Sequence, residues 1–194
     1  AKMKTEKKFS LGRIYYPVKT LGPGNRVGIW MNGCNRGCAG CISPELQHYD
    51  ASKEITVKEL MLMIHRIQYP IEGFTISGGE PFYNPDALNE IVQSLADVCD
   101  DILIYTGYTI EELRLQENEA INTVLNTCAA LMDGSYIKEL NDNRGLRGSS
   151  NQKCLIFKYQ DKYKGIETAD RALQNVMYGN KVLTIGIPQG DINL

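Results

Sequence analysis

The chain of 194 residues is long enough for one hydrophobic core at the upper end of average domain size, and too short for two large domains. Lys plus Arg number 21 against 23 for Asp plus Glu, a net charge of −2, so no polyanion-binding field dominates and nucleic acid is not the expected partner. With 43% hydrophobic and 23% charged residues the composition is that of a soluble globular protein, no run approaches the roughly 18 apolar residues that span a bilayer, and the basic start lacks a secretory signal's apolar stretch. No membrane partner and a cytoplasmic location are therefore expected.

Residues 1–12 read as a flexible basic segment ahead of a single domain over 13–194. Gly22-Pro23-Gly24 forms a turn before a buried strand, Arg26 to Met31. Apolar residues at helical spacing predict helices over Thr56 to Tyr69 and Asp86 to Val98, with a short strand from Phe74 to Ile76 between them. A strand over Ile102 to Tyr105 follows, then a helical stretch from Ile110 to Leu125 with a break near Leu115, then a strand from Ala129 to Met132. The run from Asp133 to Lys153 is a polar loop. Strands over Leu155 to Phe157 and Val182 to Ile187, with a helix over about Ile166 to Met177 between them, complete the pattern.

Strands alternating with helices predict an α/β fold with parallel pairing, either a doubly wound sheet or an incomplete barrel, whose ligands sit at the carboxyl ends of the strands. Those ends carry the cysteine-rich segment after Met31, Ser77-Gly-Gly-Glu-Pro81, Thr106-Gly107-Tyr108, Asp133-Gly134 and Ile187-Pro188. The long polar loop belongs to the same rim, and a loop of that length inside a compact domain is expected to be functional and mobile.

Of six cysteines, Cys99, Cys128 and Cys154 stand singly at the edges of apolar runs, as small buried hydrophobes do. Cys34, Cys38 and Cys41 instead share one short loop with Gly33, Gly37 and Gly40, so the backbone has the freedom to fold around a small polynuclear object. Three thiolates leave one position open on such a cluster. A zinc site would need a fourth ligand, and His48, seven residues past Cys41, makes a Cys3His zinc site the competing reading. Trp30, inside a strand, reads as a core anchor, while Tyr105 and Tyr108 suit either packing or stacking on a cofactor ring.

Cys-x-x-x-Cys-x-x-Cys behind the first strand resembles the signature of the radical S-adenosylmethionine enzymes, and Ser77-Gly78-Gly79-Glu80-Pro81 resembles their second motif. The resemblance implies an incomplete TIM-like barrel of about six parallel strands with outer helices. It implies a [4Fe–4S] cluster on Cys34, Cys38 and Cys41, with S-adenosyl-L-methionine bound at the free iron and cleaved to a 5′-deoxyadenosyl radical. Gly22-Pro23-Gly24, Thr106-Gly107-Tyr108, Asp133-Gly134 and Arg147-Gly-Ser-Ser-Asn-Gln152 narrow the similarity to the activases of anaerobic ribonucleotide reductase, over roughly Gly22 to Gln152. Two features depart from that pattern: Leu21, where an acidic residue is usual, and the region after Gln152, which has no counterpart.

By this resemblance Gly40, Ile42, Ser77, Gly78, Gly79, Glu80, Thr106 and Asp133 line the cofactor, the two glycines letting the backbone approach it. The implied substrate is a glycyl-radical enzyme or a peptide, the electron comes from a low-potential donor such as flavodoxin or ferredoxin, and the protein is an oxidoreductase that abstracts hydrogen from a partner polypeptide. Arg144, Arg147, Ser149, Ser150, Asn151 and Gln152 are expected to hold that partner's backbone. A radical enzyme acting on a ribosomal peptide or small metabolite, and a non-enzymatic iron–sulfur or zinc protein carrying electrons, are the alternatives. The latter leaves the Gly-Gly-Glu-Pro turn and the polar loop on the same rim unexplained.

Overall fold

The computed structural model describes residues 6–190. Seven strands form one open sheet in the order β3-β1-β2-β4-β5-β6-β7: β1 (Lys8–Val18), β2 (Arg26–Met31), β3 (Glu54–Thr56), β4 (Gly73–Gly78), β5 (Ile102–Tyr105), β6 (Ala130–Asp133) and β7 (Lys153–Ile156). The four central strands β2, β4, β5 and β6 run parallel, whereas β1, β3 and β7 are antiparallel to their neighbours. Four helices occupy the crossovers: α1 (Val57–His65), α2 (Pro85–Ala96), α3 (Ile110–Leu115) and α4 (Glu119–Thr127). Among the described residues no helix is long and apolar enough to cross a membrane.

Alternation along the strands divides the core in two. Val27, Ile29 and Met31 of β2, Phe74 and Ile76 of β4, Ile102 and Ile104 of β5 and Leu131 of β6 pack with Leu60, Leu88, Ile91, Leu113 and Val124 of the helices. Each such fully buried side chain contributes about 1.5–3 kcal/mol. The intervening residues Trp30, Leu103 and Ala130 face the other way. There they meet α5 (Gln160–Tyr163) and a hairpin of β8 (Gln174–Tyr178) and β9 (Lys181–Ile185), through Tyr163, Ile166 and Ile185. The carboxyl ends of the parallel strands all open on one rim.

Three features differ from the sequence-based expectations. The basic lead-in is not wholly flexible, although residues 1–5 lie outside those described. Lys8 already belongs to β1, whose Phe9 is buried, and register shifts near Gly12 and Pro17 break the alternation that would have marked this strand. The expected parallel strand after Gln152 is antiparallel, and the last expected strand stands outside the sheet, so four parallel strands replace about six. No helix covers 166–177. Residues 174–178 are instead a strand paired with β9 across Gly179-Asn180, a two-residue turn that favours a hairpin.

Candidate functional site

The loops leaving β2, β4, β5 and β6 are joined by their backbones. Gly79 N donates to Met31 O at 2.7 Å, Glu80 N to Gly33 O at 2.8 Å, and Gly33 N to Leu46 O at 2.9 Å. Thr106 N donates to Met132 O and Gly134 N to Tyr108 O, each at 2.9 Å. A Cβ on Gly78, which lies at φ +122°, would run into Met31 O; one on Gly79 would run into Gly33 O and stand 2.6 Å from Leu46 O. These glycines therefore permit backbone to approach backbone, seating the Gly-Gly-Glu-Pro turn against the root of the cysteine loop.

Glu80 is the clamp between strand ends. Its side chain is 1% exposed; Oε1 accepts from Phe82 N at 3.0 Å and Thr106 Oγ1 at 2.8 Å, and Oε2 accepts from Gly107 N at 2.7 Å. Burial raises its pKa despite these donors and the nearby Arg36 guanidinium. Asp133 is likewise buried and accepts from Ile110 N at 3.0 Å, steadying the start of α3, and burial again raises its pKa. Thr106 Oγ1 also accepts from Tyr108 N at 3.1 Å. Ser77, half-buried, sits opposite Trp30 in the β2–β4 register.

Cys34, Cys38 and Cys41 lie partly exposed on the loop after β2, all as free thiols. Among the described residues no three His, Cys, Asp or Glu side chains stand ready as metal ligands, and the exposed His48 joins no such group. The donor set nonetheless fits an iron–sulfur cluster: three soft thiols and no hard ligand, on a loop whose Gly33, Gly37 and Gly40 take φ of +102°, +58° and +73°. A Cβ on Gly37 would meet nothing within 4 Å and one on Gly40 only Tyr136 at 3.4 Å, so the loop has room to draw its sulfurs together. Ile42 is 49% exposed beside it.

Two residues in the Cys34–Cys38 spacer, which carry no motif signal, anchor this loop. Asn35 Nδ2 donates to Tyr108 Oη at 2.7 Å, and the Arg36 guanidinium lies 4.5 Å from the Tyr108 ring centroid. Arg36 Nη2 also donates to Ser135 Oγ at 2.9 Å, which in turn donates to Gly107 O at 2.8 Å. Tyr108 thus packs under Arg36, and Tyr105 Oη donates to Leu146 O at 2.8 Å.

The polar loop after β6 is bonded within itself to an extent its composition does not announce. Gln152 Nε2 donates to Gly134 O at 2.7 Å while its Oε1 accepts from Gly148 N and Ser149 N; Asn151 Nδ2 donates to Ser135 O at 2.8 Å. Ser149 Oγ accepts from Ile137 N, and Arg147 reaches Ser150 O, Gln152 O and Asp142 Oδ2. Four of the six candidate partner-binding side chains therefore shape the loop, leaving Arg144 and Ser150 exposed.

Residues 20–155 match the model of a family described as a 4Fe-4S single cluster domain. The chain is 32% identical over 148 residues to an anaerobic ribonucleoside-triphosphate reductase-activating protein of Salmonella typhi, covering 71% of this chain and 93% of that protein. The counterpart from Escherichia coli (strain K12) is 31% identical with the same coverage. A pyruvate formate-lyase-activating enzyme of Clostridium pasteurianum is 26% identical over 174 residues, covering 86% of this chain and 65% of that protein.

Proposed function

We propose, from the premise that the chain belongs to the 4Fe-4S single cluster domain family and to the anaerobic ribonucleoside-triphosphate reductase-activating proteins, that it is a radical S-adenosylmethionine enzyme which installs a glycyl radical on a partner enzyme. The observation that carries this reading is the seating of the Ser77–Pro81 turn on the root of the three-cysteine loop through Gly79 N to Met31 O and Glu80 N to Gly33 O. Two motifs 36 residues apart, counted from Cys41 to Ser77, thereby share one rim of the sheet.

Cys34, Cys38 and Cys41 hold the cluster, and Gly40, Ile42, Ser77, Gly78, Gly79, Thr106 and Asp133 surround the cofactor. Held there, a [4Fe–4S] cluster reduced by a low-potential donor such as a flavodoxin or ferredoxin would supply the one-electron chemistry by which S-adenosylmethionine is cleaved and hydrogen abstraction becomes possible. The chain's own contribution is geometry. Glu80 ties the β4 turn to the β5 loop, Arg36 ties the cysteine loop to the β5 loop through Tyr108 and to the loop after β6 through Ser135, and that polar loop faces the incoming polypeptide. We read the open sheet as part of an incomplete barrel, working in the cytoplasm.

Anaerobic reconstitution tests the reading: about four iron and four sulfide per chain are expected, with methionine and 5′-deoxyadenosine released on reduction by dithionite. Cys38→Ala should abolish both. One zinc and no iron in anaerobically purified protein would overturn it.

A further inference from the structure

Residues 156–190 lie outside the stretch matched by the 4Fe-4S family model, yet they grip the polar loop, and one buried side chain stands at the centre of that contact. Arg171, 8% exposed, sits in the irregular segment between α5 and β8. Its Nη2 donates to Arg147 O at 2.6 Å and lies 3.3 and 3.4 Å from Gly148 O and Arg144 O. Nε donates to Gly145 O at 3.2 Å, and Nη1 to Asn141 Oδ1 at 3.0 Å and Pro188 O at 2.8 Å. With Asn143 Oδ1 at 3.5 Å from Nη1, one guanidinium thus gathers six oxygens of the 141–148 arm and one from the segment after β9.

The backbones follow the same path. Gly145 N donates to Ala169 O at 2.8 Å and Leu146 N to Ile166 O at 2.9 Å, and a Cβ on Gly145 would run into Glu167 O. A buried cation answered by carbonyl and amide oxygens is tolerable only while those oxygens stay in place, so the arm and Arg171 hold each other. At its other end the loop is fixed to the cysteine site, with Asn151 donating to Ser135 O and Arg36 to Ser135 Oγ. Arg147, whose Nη2 bonds Asp142, gives its carbonyl to Arg171, so the exposed Arg144 and Ser150 are presented from a frame fixed at both ends.

We propose that Arg171 is a positioning residue for the macromolecular substrate: from outside the family-matched stretch it pre-orders the 141–148 arm, so that the partner polypeptide binds without first having to organise it. This rests on the reading that the loop after β6 receives a glycyl-radical enzyme. Losing Arg171 shifts the ordering cost into the binding step and leaves the cysteine loop and the Ser77–Pro81 turn untouched.

The test uses the reconstituted full chain and the anaerobic ribonucleotide reductase of the same organism, with glycyl radical counted by electron paramagnetic resonance as reductase concentration is varied. In Arg171→Met the half-saturating reductase concentration rises about tenfold, while the rate at saturation stays within about twofold. 5′-Deoxyadenosine release without reductase is unchanged. Arg171→Lys, which keeps the charge but not the fork, falls between, and it carries the test if Arg171→Met does not fold. Hydrogen exchange at the Gly145 and Leu146 amides accelerates in both. An unchanged half-saturating concentration, or cofactor cleavage falling in step with radical formation, overturns the proposal. A wild-type protein that cleaves cofactor but puts no radical on the reductase overturns the underlying reading instead.

Discussion

Glu80 holds the β4 turn against the β5 loop through three donors to its buried carboxylate, Phe82 N, Thr106 Oγ1 and Gly107 N. Two are backbone N–H groups, and an amide in its place would set its own NH2 against Gly107 N–H. Glu80→Gln should cost about 2 kcal/mol and lower the thermal midpoint by roughly 4–8 °C; an unchanged midpoint in calorimetry would show that the clamp is dispensable. At the opposite end of the strands Arg26, fully buried, donates to Asp101 Oδ1 at 3.2 Å, to Thr75 Oγ1 and to Phe74 O, while Tyr163 and Lys162 also donate to Asp101. Burial alone would raise the Asp101 pKa, but Arg26, Lys162 and Tyr163 outweigh it and hold the carboxyl below the ordinary value. A depressed carboxylate stabilises the fold fully above its unfolded pKa near 4, and the contribution disappears as pH falls through the folded value. Urea unfolding of the metal-free chain should therefore show wild type well ahead of Asp101→Asn at pH 7 and the gap closing towards pH 3. A gap independent of pH contradicts this. Asn35, Arg36 and Arg171 were not legible beforehand: the first two are spacer positions in a motif that constrains only its cysteines, and the third lies where helical spacing concealed an irregular segment.

Among the elements, periodicity located α1, α2, β2, β4, β5 and β6 because each buries one face or stripe against the same core. The break expected near Leu115 is the boundary between α3 and α4, where Glu117 takes φ +48° and Asn118 Oδ1 caps α4 through Ala120 N and Ile121 N. The strand β1, and β8 with the turn that pairs it to β9, escaped for different reasons. Bulges disrupt the alternation of the first, and in the second the signal was the Gly179-Asn180 pair, outweighed by spacing that looked helical. The turns at the strand ends give the sharpest contrast between glycines. Gly79→Ala must push against Gly33 O and Leu46 O and so displace the root of the cysteine loop, whereas Gly37→Ala enters open space and pays only for φ +58°, roughly 1–2 kcal/mol. Iron analysis after anaerobic reconstitution should show a marked loss for Gly79→Ala and near-normal loading for Gly37→Ala. Equal loading would mean that the turn and the loop are not mechanically joined.

At the scale of the molecule, helices cover one face of the sheet and the segment after β7 covers the other, tying down both flanks. Glu167 accepts from Cys154 N on the β7 edge, and Gln174 accepts from Lys19 N and donates to Pro17 O beside β1. Trp30, the single tryptophan, is 7% exposed in a cluster that includes Ile185, and Leu103 and Ala130 lie against Tyr163 and Ile166. A chain cut after Lys158 should therefore show red-shifted Trp30 fluorescence and no cooperative unfolding transition; an unshifted spectrum would show that the segment is not part of the fold's core. The motifs at the rim identified the chemistry from sequence, because cluster and cofactor demand particular residues at particular spacings. What surrounds them depends on tertiary contacts that no local pattern encodes. Whether this rim delivers a radical to another polypeptide is decided by mixing the reconstituted, dithionite-reduced protein with S-adenosylmethionine and anaerobic ribonucleotide reductase. The expected result is an organic radical signal on the reductase that changes its hyperfine splitting when the reductase is made with α-deuterated glycine. Cofactor cleavage without any such signal would contradict it.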